Sequence, residues 1–175
     1  MLSTITSMLA CLNRSAYFWL AMIVACIAME GTALYYQYVL DYGPCVLCVH
    51  IRAWIFAILV LSVFGLIFRD NKGSITLVNL LSVLAAGGMT ERAYFTLGVE
   101  KGFVDGSCTL NASFPSWLPL DQWIPSVFEP WEACGYTPEL LLDITMAEAL
   151  MLISSLWLLI LIGMLLSRLI PHQTE

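Results

Sequence analysis

The sequence predicts an all-α membrane protein: a bundle of four transmembrane helices with a long periplasmic loop that contains a short interfacial helix. Three observations lead there. Of 175 residues, 60% are hydrophobic and 11% charged, against an apolar share of about 45–50% in soluble domains. Four apolar runs are each long enough for the ~20 helical residues that cross a hydrocarbon core. Basic residues fall at alternate ends of those runs, as membrane topology requires. The whole chain, 1–175, reads as a single membrane domain. A net charge of −6 speaks against a nucleic-acid partner, because phosphate binding needs a basic surface. The bilayer itself is the first partner implied.

The first span is expected at about 16–40, just after Arg14. A cleaved signal peptide competes with this reading, but the apolar part exceeds the usual 7–15 residues and no small-residue cleavage site follows it. Asp41, Tyr42 and Gly43 then form a very short turn, and Pro44 suits the first turn of the next helix, where a missing N–H costs nothing. The second span is expected at about 45–68, followed by the polar turn Arg69, Asp70, Asn71, Lys72 and Gly73. The third, about 75–97, is weaker, being interrupted by Gly87 and Gly88 and carrying Glu91 and Arg92. Paired glycines do allow close helix approach in a bundle. The leucine-rich fourth span is expected at about 144–170.

Arg14, Arg69, Lys72 and Arg168 fall on one side of this arrangement, whereas the loops on the other side, about 41–44 and 98–143, hold only Lys101. Both termini are therefore expected in the cytoplasm and both loops in the periplasm or exterior. The loop side also carries most of the carboxylates, Asp41, Glu100, Asp105, Asp121, Glu129, Glu132, Glu139 and Asp143. That distribution explains the acidic balance without a cationic substrate.

Four cysteines, Cys45, Cys48, Cys108 and Cys134, lie on the side where disulfides persist. The run Pro44 to Cys48 has the C-x-x-C spacing of a readily exchanged disulfide, and a helix N-terminus there lowers the pKa of the leading thiol. The same spacing also serves half of a zinc site. Four cysteines allow three pairings, and proximity in sequence favours Cys45 with Cys48, leaving Cys108 for Cys134. Cys26, mid-span, reads as a small buried apolar residue, and Cys11 lies near the cytoplasmic end.

The 98–143 loop exceeds the ~12–15 residues beyond which structureless loops are uncommon unless they bind or cover something. A Cys108 to Cys134 bridge would contribute roughly 3.5 kcal/mol in the chain-entropy model, or would simply staple the loop. Between them, Trp117, Leu118, Leu120, Trp123 and Ile124 stand among prolines, a composition suited to the membrane interface.

Arg52 lies four residues after Cys48, on the same helix face. A lone arginine at mid-bilayer costs about 2.5–3.5 kcal/mol, so its side chain is expected to reach toward the outer end, where it favours a thiolate at Cys48. The bland alternative is an interfacial anchor. Glu30 should face the bundle interior, more as a partner for a polar or arginine side chain than as a proton relay. His50 is on a different face from Cys48 and reads as interfacial. Glu91 and Arg92 suit pairing with bundle residues or lipid headgroups, and Met89 and Tyr94 are either packing or part of a groove wall.

The combination of P-C-V-L-C, Arg52, the Cys108 and Cys134 pair and W-L-P-L-D-Q-W from Trp117 to Trp123 resembles the DsbB family of bacterial disulfide-bond formation proteins, along the whole chain. DsbI, a close relative serving a dedicated oxidase partner, shares much of the pattern. The resemblance implies a multi-pass inner-membrane thiol:quinone oxidoreductase that reoxidises a DsbA-like periplasmic thioredoxin-fold oxidase and passes two electrons to the membrane quinone pool. The implied cofactor is ubiquinone or menaquinone, with no metal. By position, Cys108 resembles the residue that forms the mixed disulfide with DsbA, and Cys134 its bridge partner. Cys134 then exchanges with Cys45, leaving Cys48, with Arg52, to meet the quinone. Cys48 is also the deeper of its pair in the second span, hence nearer a lipid-soluble acceptor. Two other readings carry weight: a membrane protein whose loop is held by static disulfides, and a four-cysteine zinc site across the external loops.

Overall fold

The computed structural model describes residues 11–105, 112, 114–132 and 144–169, with only the backbone at 168 and 169. After a helical turn at 11–14 come α1 (Ala16–Tyr38), α2 (Val46–Phe68), α3 (Lys72–Glu100), two single-turn helices α4 (Leu120–Trp123) and α5 (Pro125–Phe128), and α6 (Met146–Leu169). The four long helices are each long and apolar enough to cross a membrane. Their outward faces are as apolar as their inward ones: Tyr17, Val24, Ile27, Leu84, Leu152 and Leu159 are all exposed. A helix that is hydrophobic all round belongs in a large core or a bilayer.

The spans follow the sequence to within about two residues at each end, with the third as the exception. Instead of a weak span at 75–97 broken by glycines, α3 is one continuous helix of 29 residues. Gly88 does not interrupt it because the ring of Trp54 fills the space; a Cβ there would stand 2.5 Å from Trp54. Gly65 of α2 receives Trp19 of α1 in the same way, at 2.5 Å. Small residue against tryptophan thus sets how closely the helices approach.

Helix starts are specified locally. Asn71 caps α3, its Oδ1 accepting from the N–H groups of Gly73 and Ser74. Thr145 and Glu148 form a reciprocal capping box on α6: Thr145 Oγ1 accepts from Glu148 N–H, and Glu148 Oε2 accepts from Thr145 N–H at 3.1 Å. Lys101, just past the end of α3, reaches Glu148 Oε1 at 2.8 Å and joins the two helix ends. That hydrogen bond holds the Lys101 ammonium above the usual lysine range.

Packing runs α1 on α2, α2 on α3 and α3 on α6. The core is a cluster of Met22, Cys26, Ile51, Ile55, Ile58, Ala85, Ala86, Met89, Ala93 and Leu161. Cys26 is therefore the small apolar residue its position suggests. Between α1 and α6 no comparable extended contact forms among the described residues. At the end where α2 begins, that seam opens into a cavity.

Candidate redox site

The α1 to α2 connection sets the geometry. Asp41 takes a left-handed conformation, φ 55°, which a short polar side chain tolerates better than most. The chain then enters α2 with Cys45 as its N-cap, whose sulfur accepts from the N–H of Cys48 at 3.1 Å. Pro44 stands one place ahead of the cap, rather than inside the first turn as its sequence position suggests. Cys45 and Cys48 are disulfide-bonded, with Cα atoms 5.0 Å apart.

The two sulfurs have different surroundings. Cys45 is 3% exposed and pairs in a parallel bridge with Glu132, while the N–H of Trp131 donates to Pro44 O at 3.0 Å. Gly43 makes this approach possible: a Cβ there would lie 2.9 Å from both Trp131 Cβ and Glu132 Cγ. Cys48 instead lines the cavity. This space of about 250 Å³ lies between Met29, Ala33 and Tyr36 of α1, Arg52 and Ile55 of α2, and Met146, Leu150 and Ile153 of α6. Its walls are mostly apolar, with Thr32, Tyr36, Tyr42 and Arg52 as the polar members.

Arg52 is 5% exposed and does extend toward the cysteine end of the bundle, but it binds protein there rather than water. Nη1 donates to Gln37 Oε1 at 2.6 Å and to Val127 O at 3.0 Å, and Nη2 donates to Ala33 O at 3.0 Å. Gln37, fully buried, donates from Nε2 to Ser126 O at 3.4 Å, and Tyr38 Oη donates to the same oxygen at 2.6 Å. Ser126 and Val127 belong to α5, a single turn whose last carbonyls have no intrahelical partner. Arg52, Gln37 and Tyr38 thus satisfy the loop helix and hold it over the bundle. Of the five N–H groups of a guanidinium, Nε–H and one on Nη2 remain without a bond among the described residues, and Arg52 is one of the residues that line the cavity.

Apolar contacts complete the loop's seat. Val49 of α2 packs with Leu120 and Phe128, flanked by Ala53, Phe114, Leu118 and Val127. The expected short helix is thus two single turns, α4 and α5, with Trp117 and Trp123 directed outward and largely exposed. His50 is placed by Ala112 and Phe114 of the loop. It is half-buried under the loop, its Nε2–H donating to Ala112 O at 2.6 Å with Phe114 edge-on at 5.2 Å. Met89 and Tyr94 do not line the cavity: Met89 is fully buried in the core and Tyr94 faces outward against Phe95 and Phe103. Cys108 and Cys134 lie outside the described residues. Sequence reasoning missed Gln37, the α5 carbonyls, and Trp131 with Glu132. A lone amide in the apolar first span was the available signal for Gln37; backbone acceptors from a distant loop leave none.

The family model described as Disulfide bond formation protein DsbB matches residues 14–164. Several relatives named Disulfide bond formation protein B are similar along most of their length. The one from Shewanella frigidimarina (strain NCIMB 400) is 31% identical over 168 residues, 90% of this chain and 95% of the relative. That from Photorhabdus laumondii is 31% identical over 156 residues, covering 89% and 91%. A third, from Shewanella sp. (strain MR-4), is 32% identical over 138 residues, covering 74% and 75%. With a bonded cysteine pair at the head of a membrane helix and this match along nearly all of its length, the chain belongs to the DsbB family of disulfide bond formation proteins.

Proposed function

We propose that this chain, acting as one domain in the bacterial inner membrane with both termini cytoplasmic, is a protein dithiol:quinone oxidoreductase that reoxidises a DsbA-like periplasmic thioredoxin-fold oxidase. The observation that carries the reading is the asymmetry of one disulfide. Cys45 faces the loop segment that leads to Cys134, and Cys48 faces the apolar cavity beside Arg52.

In the relay, a thiolate of the reduced partner attacks the Cys108 sulfur of a Cys108–Cys134 disulfide and releases Cys134 as thiolate. Cys134 attacks Cys45, breaking its bond to Cys48 and releasing Cys48 as thiolate. Glu132 pairs with Cys45 two residues ahead of Cys134, and two residues of chain reach about 7 Å at most, so the attack needs no long excursion. The partner's second thiol then displaces Cys108 and leaves oxidised. Cys108 in turn displaces Cys45 from Cys134, restoring the loop disulfide and leaving Cys45 and Cys48 reduced. A bound quinone supplies the sink for the two electrons and two protons released when they rejoin. Cys48 and Arg52 would hold its head group: both line the cavity, which is mostly apolar, and its ~250 Å³ suits a ring whose tail lies in lipid. Such a sink is required, because a dithiol oxidase at about −120 mV is itself strongly oxidising and each 30 mV is worth about 1.4 kcal/mol for two electrons.

Purified protein given reduced partner oxidase and ubiquinone should consume quinone absorbance with turnover, and Cys48→Ser should abolish it. Full turnover by Cys48→Ser overturns the relay.

A further inference from the structure

Glu30 is the carboxylate that the relay leaves without a role. It sits in the middle of α1, both oxygens are buried, and neither has a hydrogen-bond partner. Burying a carboxylate is costly in any protein interior, and an ionisable side chain inside a membrane span marks function unless a partner accounts for it. The other carboxylates of the spanning helices are accounted for among the described residues: Glu91 pairs with Arg92, and Glu100 and Glu148 with Lys101.

Glu30 shares its face of α1 with Ala33 and Gln37, at i+3 and i+7, and both of those residues bind Arg52. Glu30 makes no hydrogen bond to Arg52, and the three hydrogen bonds of Arg52 all go to neutral oxygens. Opposite charges attract over several ångströms in a low-dielectric interior without a direct bond. A carboxylate in contact would occupy the N–H groups of Arg52 that now remain without a bond among the described residues.

We propose that Glu30 is a positioning residue: a counter-charge held off the Arg52 guanidinium, which keeps the net charge of the pair near zero while leaving its N–H groups available to an occupant of the cavity. The proposal rests on the reading of that cavity as a quinone site. Negative charge develops on ring oxygens as electrons arrive, and an uncompensated arginine would hold the electron-rich ring too tightly to release it. Glu30 moderates that hold.

The test compares two ring probes of the same shape, neutral 1,4-naphthoquinone and its 2-hydroxy derivative, which is anionic at neutral pH, binding to the purified full chain. Glu30→Gln and the apolar Glu30→Met, which needs no hydrogen bond, should each raise the preference for the anion on the order of tenfold, while Glu30→Asp stays near wild type. A role confined to packing changes both probes alike. An unchanged anion preference in whichever of the Gln and Met variants folds overturns the proposal. If wild-type protein binds neither probe, the quinone-site reading fails first, and that result is distinguishable because it needs no variant.

Discussion

Arg52 both binds the loop helix, through Val127 O, and lines the cavity, and separate half-reactions distinguish the two roles. Arg52→Ala should slow oxidation of the Cys45 and Cys48 dithiol by quinone more than it slows exchange with the partner oxidase, measured as separate half-reactions; equal losses count against a quinone-side role. Gln37→Ala strips one acceptor from Arg52 and one donor from Ser126 O. It should lower stability by about 1–3 kcal/mol, read as a fall in the thermal midpoint in detergent. The effect of Gly43→Val should be kinetic. Its Cβ would press on Trp131 and Glu132, slowing transfer between the two cysteine pairs more than it slows quinone reduction by a pre-reduced Cys45 and Cys48, although Gly43 also borders the cavity; equal losses in both steps would overturn that assignment. Of these residues, Arg52 was legible in sequence because four residues from Cys48 is one helical turn. Gln37 was marked only as a lone amide in an apolar span, since its partners, Ser126 O 89 residues away and the Arg52 guanidinium, leave no trace in spacing.

At the scale of the element, glycine was the signal that misled. Gly87 and Gly88 look alike in sequence, but only Gly88 meets a neighbour, the Trp54 ring, while nothing lies within 4 Å of a Cβ at Gly87. Gly87→Ala should therefore be neutral or stabilise by up to about 1 kcal/mol, since glycine is the poorer helix former. Gly65→Ala, which drives a Cβ into Trp19, should destabilise by about 1–3 kcal/mol. Paired melting curves check both, and a loss at Gly87 matching that at Gly65 would show that tryptophan contact is not what sets the helix spacing. The spans themselves were legible because length and hydropathy are one-dimensional properties. Which glycine faces a tryptophan is set by helix rotation in the bundle, and hydropathy carries no record of it.

The whole molecule is a bundle whose packing runs α1, α2, α3, α6 and whose remaining seam, α1 against α6, opens next to the disulfide. Charge asymmetry in the sequence predicts which ends share a compartment. Alkaline phosphatase, active only where disulfides form, should therefore be active when fused after Tyr42 or Val104 and inactive after Asn71; activity at Asn71 would invert the topology. The seam was not legible, because a cavity is defined by what fails to touch. On the proposed reading, the unequal burial of Cys45 and Cys48 also bears on chemical privacy. A small thiol dissolved in water finds one sulfur covered by the chain's own backbone and the other fronting a greasy chamber. Leakage of reducing equivalents from such solutes is discouraged by shape alone, and admission depends on being carried in by the protein's own arm.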